Sequence, residues 1–265
     1  MGLMKPVALP TVSIVTPSFN QARFLEATIQ SVLSQDYPRI EYLIVDGGST
    51  DGSVDVIKKY ADRLAWWVSE KDRGQTDAIN KGFARATGKV LAWLNSDDTY
   101  EPRAVGQAVK YLIEHSEVGM VYADCNYINE EGRVIGKFPA AQTDLTRLRR
   151  GYVHIPQQTM FFRADLWKQI GPLDPSFYFA MDYDLWTRIA SRSELKYLAG
   201  QTWANFRIHT SGKTIAADDR CWPEMLRVHY RDGGPFFSPI VAKYYIRKLI
   251  APLWSWRFRK RLGVK

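Results

Sequence analysis

The sequence predicts an α/β fold built on a central, mostly parallel sheet. Two observations carry this. Short β-branched or apolar runs alternate with segments whose apolar residues recur at helical spacing. Acidic loops containing glycine or serine follow the ends of successive predicted strands, where open α/β sheets bind their ligands. At 265 residues, 46% of them hydrophobic and 24% charged, the chain can bury a sizeable core without disulfide or metal staples.

Residues 11–16 (TVSIVT) are β-branched and end at Pro17, as a buried strand does. Leu25, Ile29, Val32 and Leu33 then fall at i, i+4, i+7 and i+8, a helical face. Residues 40–45 form a second strand that runs into Asp46-Gly47-Gly48-Ser49-Thr50-Asp51-Gly52, a turn-rich loop. A helix over 54–60 and a strand over 64–68 follow, then a helix with Ile79, Phe83 and Ala86 on one face. The strand over 90–94 ends in Asn95-Ser96-Asp97-Asp98, and Val105, Ala108, Val109, Leu112 and Ile113 mark the next amphipathic helix. Residues 119–124 are strand-like. The second half is less regular, with strands expected at 133–138, 159–163, 195–198 and 203–208 and a helix at 183–190.

Several function classes are excluded. No GxGxxG dinucleotide loop and no GxxxxGK[ST] phosphate loop is present. Cys125 and Cys221 stand far apart with no CxxC pair, which argues against a zinc ribbon or a redox pair. No run approaches the ~18 apolar residues of a membrane span. Residues 1–10 carry neither a secretory apolar stretch nor a myristoylation signal, so a cytoplasmic protein is expected.

The net charge of +8 is concentrated at one end. No acidic residue follows Asp232, while Lys243, Arg247, Lys248, Arg257, Arg259, Lys260, Arg261 and Lys265 do. Aromatics and aliphatics interleave with these cations over 236–256, and 240–250 suits an amphipathic helix stopped near Pro252. The expected division is a domain over 1–215 and a basic, aromatic, helical extension over 216–265. Dense aromatics must be buried in something, so contact with an anionic membrane surface is expected, with docking on the body as the alternative. Nucleic acid is not the expected partner, since phosphate binding alone needs only charge.

The candidate chemical residues each have an ordinary structural reading as well. Two adjacent carboxylates, Asp97 and Asp98, sit at a strand end, where they suit Mg²⁺ or Mn²⁺ completed by substrate phosphates, or cap the helix that follows. Asp46 also ends a strand and can bind its own turn. Of Asp182 and Asp184, one can cap a helix and the other serve as a general base. His209 follows a strand, as a ligand or a structural histidine.

Together these residues form a recognisable set: Thr16-Pro17-Ser18-Phe19-Asn20, the Asp46–Gly52 loop, Asp72-Arg73-Gly74-Gln75-Thr76-Asp77-Ala78-Ile79-Asn80-Lys81-Gly82, and Leu94-Asn95-Ser96-Asp97-Asp98. In order, spacing and placement at strand ends this closely resembles the family 2 glycosyltransferases, over residues 12–212. The resemblance implies a GT-A fold, a nucleoside-diphosphate-sugar donor, Mn²⁺ or Mg²⁺, and inversion at the anomeric carbon. It implies that Pro17, Ser18, Asn20, Asp46, Asp72 and Asn80 contribute to donor binding, with Asp46 on the base and Asp97 on the ribose. By the same likeness Asp98 and His209 bind the metal, Arg207, His209 and Ser211 close over the phosphates, and Asp182 is the base. Met181 stands where the family usually places a second acidic residue, and Asn95 where many relatives have Asp. The expected product is a bacterial surface polysaccharide or a lipid-linked glycan, made on a glycan or lipid-linked acceptor by an enzyme that is peripheral at the inner face of the membrane. The alternative is a catalytically silent member that binds sugar nucleotide or scaffolds an assembly.

Overall fold

A computed structural model describes residues 9–210, 212–213 and 218–249 of the chain. Its elements in order are β1 (Val12–Ser18), α1 (Ala22–Leu33), β2 (Ile40–Asp46), α2 (Ser53–Lys59), β3 (Trp66–Ser69), α3 (Gln75–Arg85), β4 (Val90–Trp93), β5 (Thr99–Tyr100), α4 (Ala104–Glu114) and β6 (Val118–Ile128). There follow β7 (Val134–Lys137), α5 (Leu145–Arg149), β8 (Phe161–Arg163), α6 (Ala164–Ile170), α7 (Met181–Ala190), β9 (Glu194–Arg207) and α8 (Asp218–Arg231). A last helix, α9, covers 239–249.

The strands form one curled sheet in the order β3-β2-β1-β4-β8-β6-β9-β5, with β7 paired to β6. β1, β2, β3 and β4 are mutually parallel, joined through helical crossovers. β8 runs antiparallel between β4 and β6, and β6 pairs with β9 in parallel. The buried strands read as continuous apolar runs because both faces are covered. Their period of two sorts them: Val12, Ile14, Tyr42, Ile44, Val90 and Ala92 pack with α1 and α4. Val15, Leu43, Val45, Leu91 and Trp93 pack on the other side with α3 and α7. Gly82 lets α3 lie close on β1, since a Cβ there would come 2.5 Å from Val15 Cγ1.

One expectation changes. The strands expected at 195–198 and 203–208 are one long strand, β9, interrupted by a shift in its pairing with β6 where Ala123 faces Leu198 and Asp124 faces Thr202. The intervening residues include Gly200 at φ +76°, a bulge that breaks the apolar alternation without ending the strand.

The division after residue 215 does not separate two cores. Met225 and Val228 of α8 and Ile240 and Val241 of α9 are buried in the same cluster as α7. Arg231 of α8 pairs with the buried Asp184 of α7, and Glu224 accepts the backbone N–H groups of Tyr178, Phe179 and Ala180. The inner face of the extension is thus docked on the body, and residues 250–265, with Pro252 and the last five basic residues, lie outside the described residues. No helix among the described residues is long and apolar enough to cross a membrane.

Candidate active site

A cleft of about 700 Å³ opens at the carboxyl ends of β1, β2 and β4. Its walls include Pro17, Ser18, Gly47, Asp72, Asp97, Asp182 and Lys213. Part of the lining is apolar, built by Phe138, Val153, Ile155 and Trp186. The loops expected to carry the chemistry therefore converge, but their carboxylates divide between building the walls and facing the cleft.

Asp46 builds. It is fully buried, and its Oδ2 accepts N–H bonds from Gly48 (3.1 Å) and Ser49 (2.9 Å) and the Ser69 hydroxyl (2.7 Å), while Oδ1 takes the Ser49 hydroxyl. These bonds fold the loop after β2, and the side chain is not on the cleft wall. Asn20, at φ +51°, is exposed and clamps the same loop by accepting the Thr50 N–H at 2.9 Å. Asn80 is likewise structural, with its side-chain amide making both hydrogen bonds to the Leu173 backbone, at 2.8 and 2.9 Å. Asp72 reaches the cleft, steadied by the Gly74 N–H at 2.8 Å. Ser18 also lines the cleft, and its buried hydroxyl has no partner among the described residues.

The adjacent pair after β4 splits in the same way. Asp98 is fully buried below the cleft. Its Oδ1 accepts the Arg207 N–H (2.9 Å) and its Oδ2 the side-chain amides of Gln158 (3.0 Å) and Asn95 (3.3 Å). Burial and the neighbouring Asp97 push its carboxyl well above the ordinary range. Asp97 stands on the cleft wall, with Oδ2 2.9 Å from Nε2 of the buried His209. The expected pairing of Asp98 with His209 as metal ligands is therefore not what the geometry shows: the carboxylate beside His209 is that of Asp97. Among the described residues no group of three or more His, Cys, Asp and Glu side chains gathers as a metal cage.

Arg207 ties this corner together. Its Nε donates to the Asp97 carbonyl (2.9 Å), and one Nη donates to the Asn129 and Glu130 carbonyls (3.0 Å each). The guanidinium also lies 4.8 Å from the centroid of the Phe24 ring. It borders the cleft while bracing the loop that carries Asp97, rather than extending free toward a phosphate. Ser211 lies outside the described residues.

Asp182, which also lines the cleft, sits in the first turn of α7, where the helix dipole favours a negative charge. Burial dominates nonetheless, pushing its carboxyl up to about 6 against the opposing pull of the Tyr183 N–H and Lys213. A carboxyl poised near neutrality on a cleft wall has the protonation behaviour of a general base. Asp184, two residues on, is fully buried and ion-paired to Arg188 (2.7 Å) and to Arg231, so it is no substitute. Sequence reasoning missed Lys213, whose Nζ donates to Gln75 Oε1 at 3.0 Å and lies 4.0 Å from the centroid of the Tyr178 ring. Burial lowers its pKa to about 8. Its position just beyond the Arg207-Ile208-His209 element was the available signal. Glu224, which holds the loop leading into α7, was also missed, because nothing local marks a glutamate in a helix as a clamp for a distant turn.

The family model described as Glycosyl transferase family 2 matches residues 13–181. An uncharacterized glycosyltransferase of Mycobacterium tuberculosis is 36% identical over 184 residues, covering 68% of this chain and 69% of its own. A PGL/p-HBAD biosynthesis glycosyltransferase of Mycobacterium bovis is 32% identical over 195 residues, covering 71% and 73%. Among solved structures, S. aureus TarS 1-349 in complex with UDP superposes with a TM-score of 0.68 at 17% identity, over 89% of this chain and 71% of that one. The mannosyltransferase PcManGT from Pyrobaculum calidifontis, in complex with GDP-Man and Mn²⁺, superposes at 0.66 with 22% identity, over 94% and 73%. These two structures share the GT-A fold. With the family model spanning the cleft-forming strands and relatives matched over two thirds of their length, this chain is a glycosyltransferase of family 2.

Proposed function

We propose that the protein transfers a sugar from a nucleoside-diphosphate sugar to a hydroxyl of a glycan or lipid-linked acceptor, with inversion and with the aid of a divalent cation. The observation that carries the reading is that Asp97, with His209 beside it, and the near-neutral Asp182 share one cleft. The nucleoside would lie along Pro17, Ser18, Gly47 and Asp72, where the unpartnered Ser18 hydroxyl supplies a hydrogen bond. The Asp97 carboxylate and the His209 imidazole, hydrogen-bonded at 2.9 Å, are the pair that would hold Mn²⁺ or Mg²⁺ together with the donor's diphosphate oxygens. A cation held there would neutralise charge on the departing diphosphate. Asp182 takes the acceptor proton as the acceptor oxygen bonds to the anomeric carbon and the bond to phosphate breaks. A single displacement with the base opposite the leaving group inverts that carbon. Arg207 keeps the Asp97 loop in place, and Lys213 adds positive charge to the wall carrying Asp182.

TarS and PcManGT, with their bound UDP and GDP-Man, support a nucleotide-sugar donor. The relative named for PGL/p-HBAD biosynthesis supports a glycolipid or other lipid-linked acceptor, as does the apolar side of the cleft. Such an acceptor would place the enzyme peripherally at a membrane. The test is release of nucleoside diphosphate from a panel of sugar nucleotides with Mn²⁺, with and without acceptor. Metal-stimulated release with one donor supports the reading, and no release with any donor opposes it.

A further inference from the structure

We propose that the outer face of α9, the Phe236-Phe237 turn before it and the arginines around α5 form a docking surface for an anionic phospholipid bilayer. Helix α9 carries two apolar faces. Ile240 and Val241 point inward, and Ile240 packs so tightly on Gly151 that a Cβ there would come 3.0 Å from its Cγ1. Ala242, Tyr245, Ile246 and Leu249, at i, i+3, i+4 and i+7, are all exposed. A helix already docked on a core has no reason to repeat the apolar pattern toward water. Leu249 is 82% exposed and Phe237, at the turn entering the helix, 91%. Helical spacing puts the four α9 residues on one face, a stripe that is not covered by an apolar partner among the described residues.

The rim of the stripe selects the partner. The C-terminal end of α5, where Arg147, Arg149 and Arg150 are exposed, lies beside α9, since Lys243 Nζ donates to the Arg150 carbonyl at 3.1 Å. Lys248 is exposed on α9 itself, and no acidic residue follows Asp232 anywhere in the sequence. The carboxylates nearest in sequence are engaged: Asp144 caps α5, and Asp232 pairs with Arg231. A symmetric second copy would set this wholly basic segment against itself. A nucleic acid would leave the apolar stripe wet. Cations around inserted aromatics and aliphatics match an interface with anionic headgroups. The position fits the cleft too. Tyr152, 41% exposed under the Lys243 ammonium, immediately precedes Val153 on the apolar cleft wall, so the acceptor side opens beside the surface. Only that last point rests on the transferase reading.

The experiment is co-sedimentation of the full chain with phosphatidylcholine vesicles, with and without phosphatidylglycerol, at low and high salt. No donor or acceptor is present, so its failure leaves sugar transfer standing, and inactivity leaves membrane docking standing. The native chain should pellet with phosphatidylglycerol vesicles and keep part of its binding at high salt. The triple variant Phe237→Ser, Ile246→Ser, Leu249→Ser changes only exposed side chains. It should melt as the native chain does, yet bind at least about tenfold more weakly and lose the salt-resistant part. The pair Arg149→Gln, Arg150→Gln should lose binding mainly at low salt. The proposal is overturned if the native chain ignores phosphatidylglycerol, or if the triple variant binds as well as the native chain. It is also overturned if the native chain is a dimer that the triple variant dissociates, since a second copy then covers the stripe.

Discussion

Asp182 and Asp184 lie in the same turn of α7, two residues apart, and do opposite work. Asp184 is sealed between Arg188 and Arg231 and fastens α8 to α7. Asp182 faces the cleft with its carboxyl raised to about 6. The pair after β4 repeats the division, with Asp98 saturated by donors beneath the cleft and Asp97 on its wall beside His209. In both places one carboxylate is held by donors within the scaffold and its neighbour lines the cleft. Proximity in sequence says nothing about which is which. The direction in which each side chain leaves the backbone, and the donors it meets there, decide it.

The largest difference between the α7 pair should appear in turnover. Asp182→Asn should lower turnover by ~10²–10⁴, the usual worth of a general base, while donor binding stays within about twofold. Steady-state kinetics with calorimetric donor affinity measures both, and retained turnover would move the base elsewhere. Asp184→Asn should instead act on stability, costing about 3–5 kcal/mol because two guanidinium groups lose a buried partner. Denaturant unfolding reads this, and an unchanged midpoint would remove Asp184 from the scaffold. Glu224→Gln is smaller: the neutral amide keeps an acceptor but loses charge-assisted bonds to the loop before α7, costing about 1–3 kcal/mol.

The pH dependence sharpens the contrast further. Because the folded carboxyl of Asp182 titrates above its ordinary value, its ionisation disfavours the folded state, and that cost builds up as pH rises from the ordinary carboxylate value to about 6 and levels off above it. Asp182→Asn should therefore be more stable than the native chain by up to about 3 kcal/mol at pH 8 and little more stable at pH 4. Equal melting of the two proteins across this range would show that the Asp182 carboxyl is not raised. In the native enzyme turnover should climb as pH rises through about 6, and the climb should be absent in Asp182→Asn.

The first half of the fold was legible because each strand there is a short apolar run bounded by turn residues, and each crossover helix shows its buried face every third or fourth residue. The long strand β9 was read as two because Gly200 and its bulge look locally like a turn. Helix α8 was hidden by Pro223 within it, and by a buried face of only a few apolar residues, Met225 and Val228 among them. At the site, the motif order marks loops that line the cleft, while which of their side chains reach it depends on contacts made by the folded chain. Asp46, Asn20 and Asn80 shape the walls, because each meets backbone groups that only the folded chain brings within reach. Whether Asp97 or Asp98 faces the cleft depends on the turn after β4, which Arg207, more than a hundred residues away, holds in place.

We propose that Asp97, and not Asp98, carries the cation in the donor cleft. Titrating UDP and GDP into the native chain, Asp97→Ala and Asp98→Asn, each with and without Mn²⁺, tests it directly. The native chain should bind one of the nucleotides far more tightly with Mn²⁺ than without. Asp97→Ala should lose that difference, and Asp98→Asn should keep it while losing about 1–3 kcal/mol of stability for its disturbed buried hydrogen bonds. Loss of the Mn²⁺ effect in a folded Asp98→Asn, with Asp97→Ala unaffected, would place the cation on Asp98 instead.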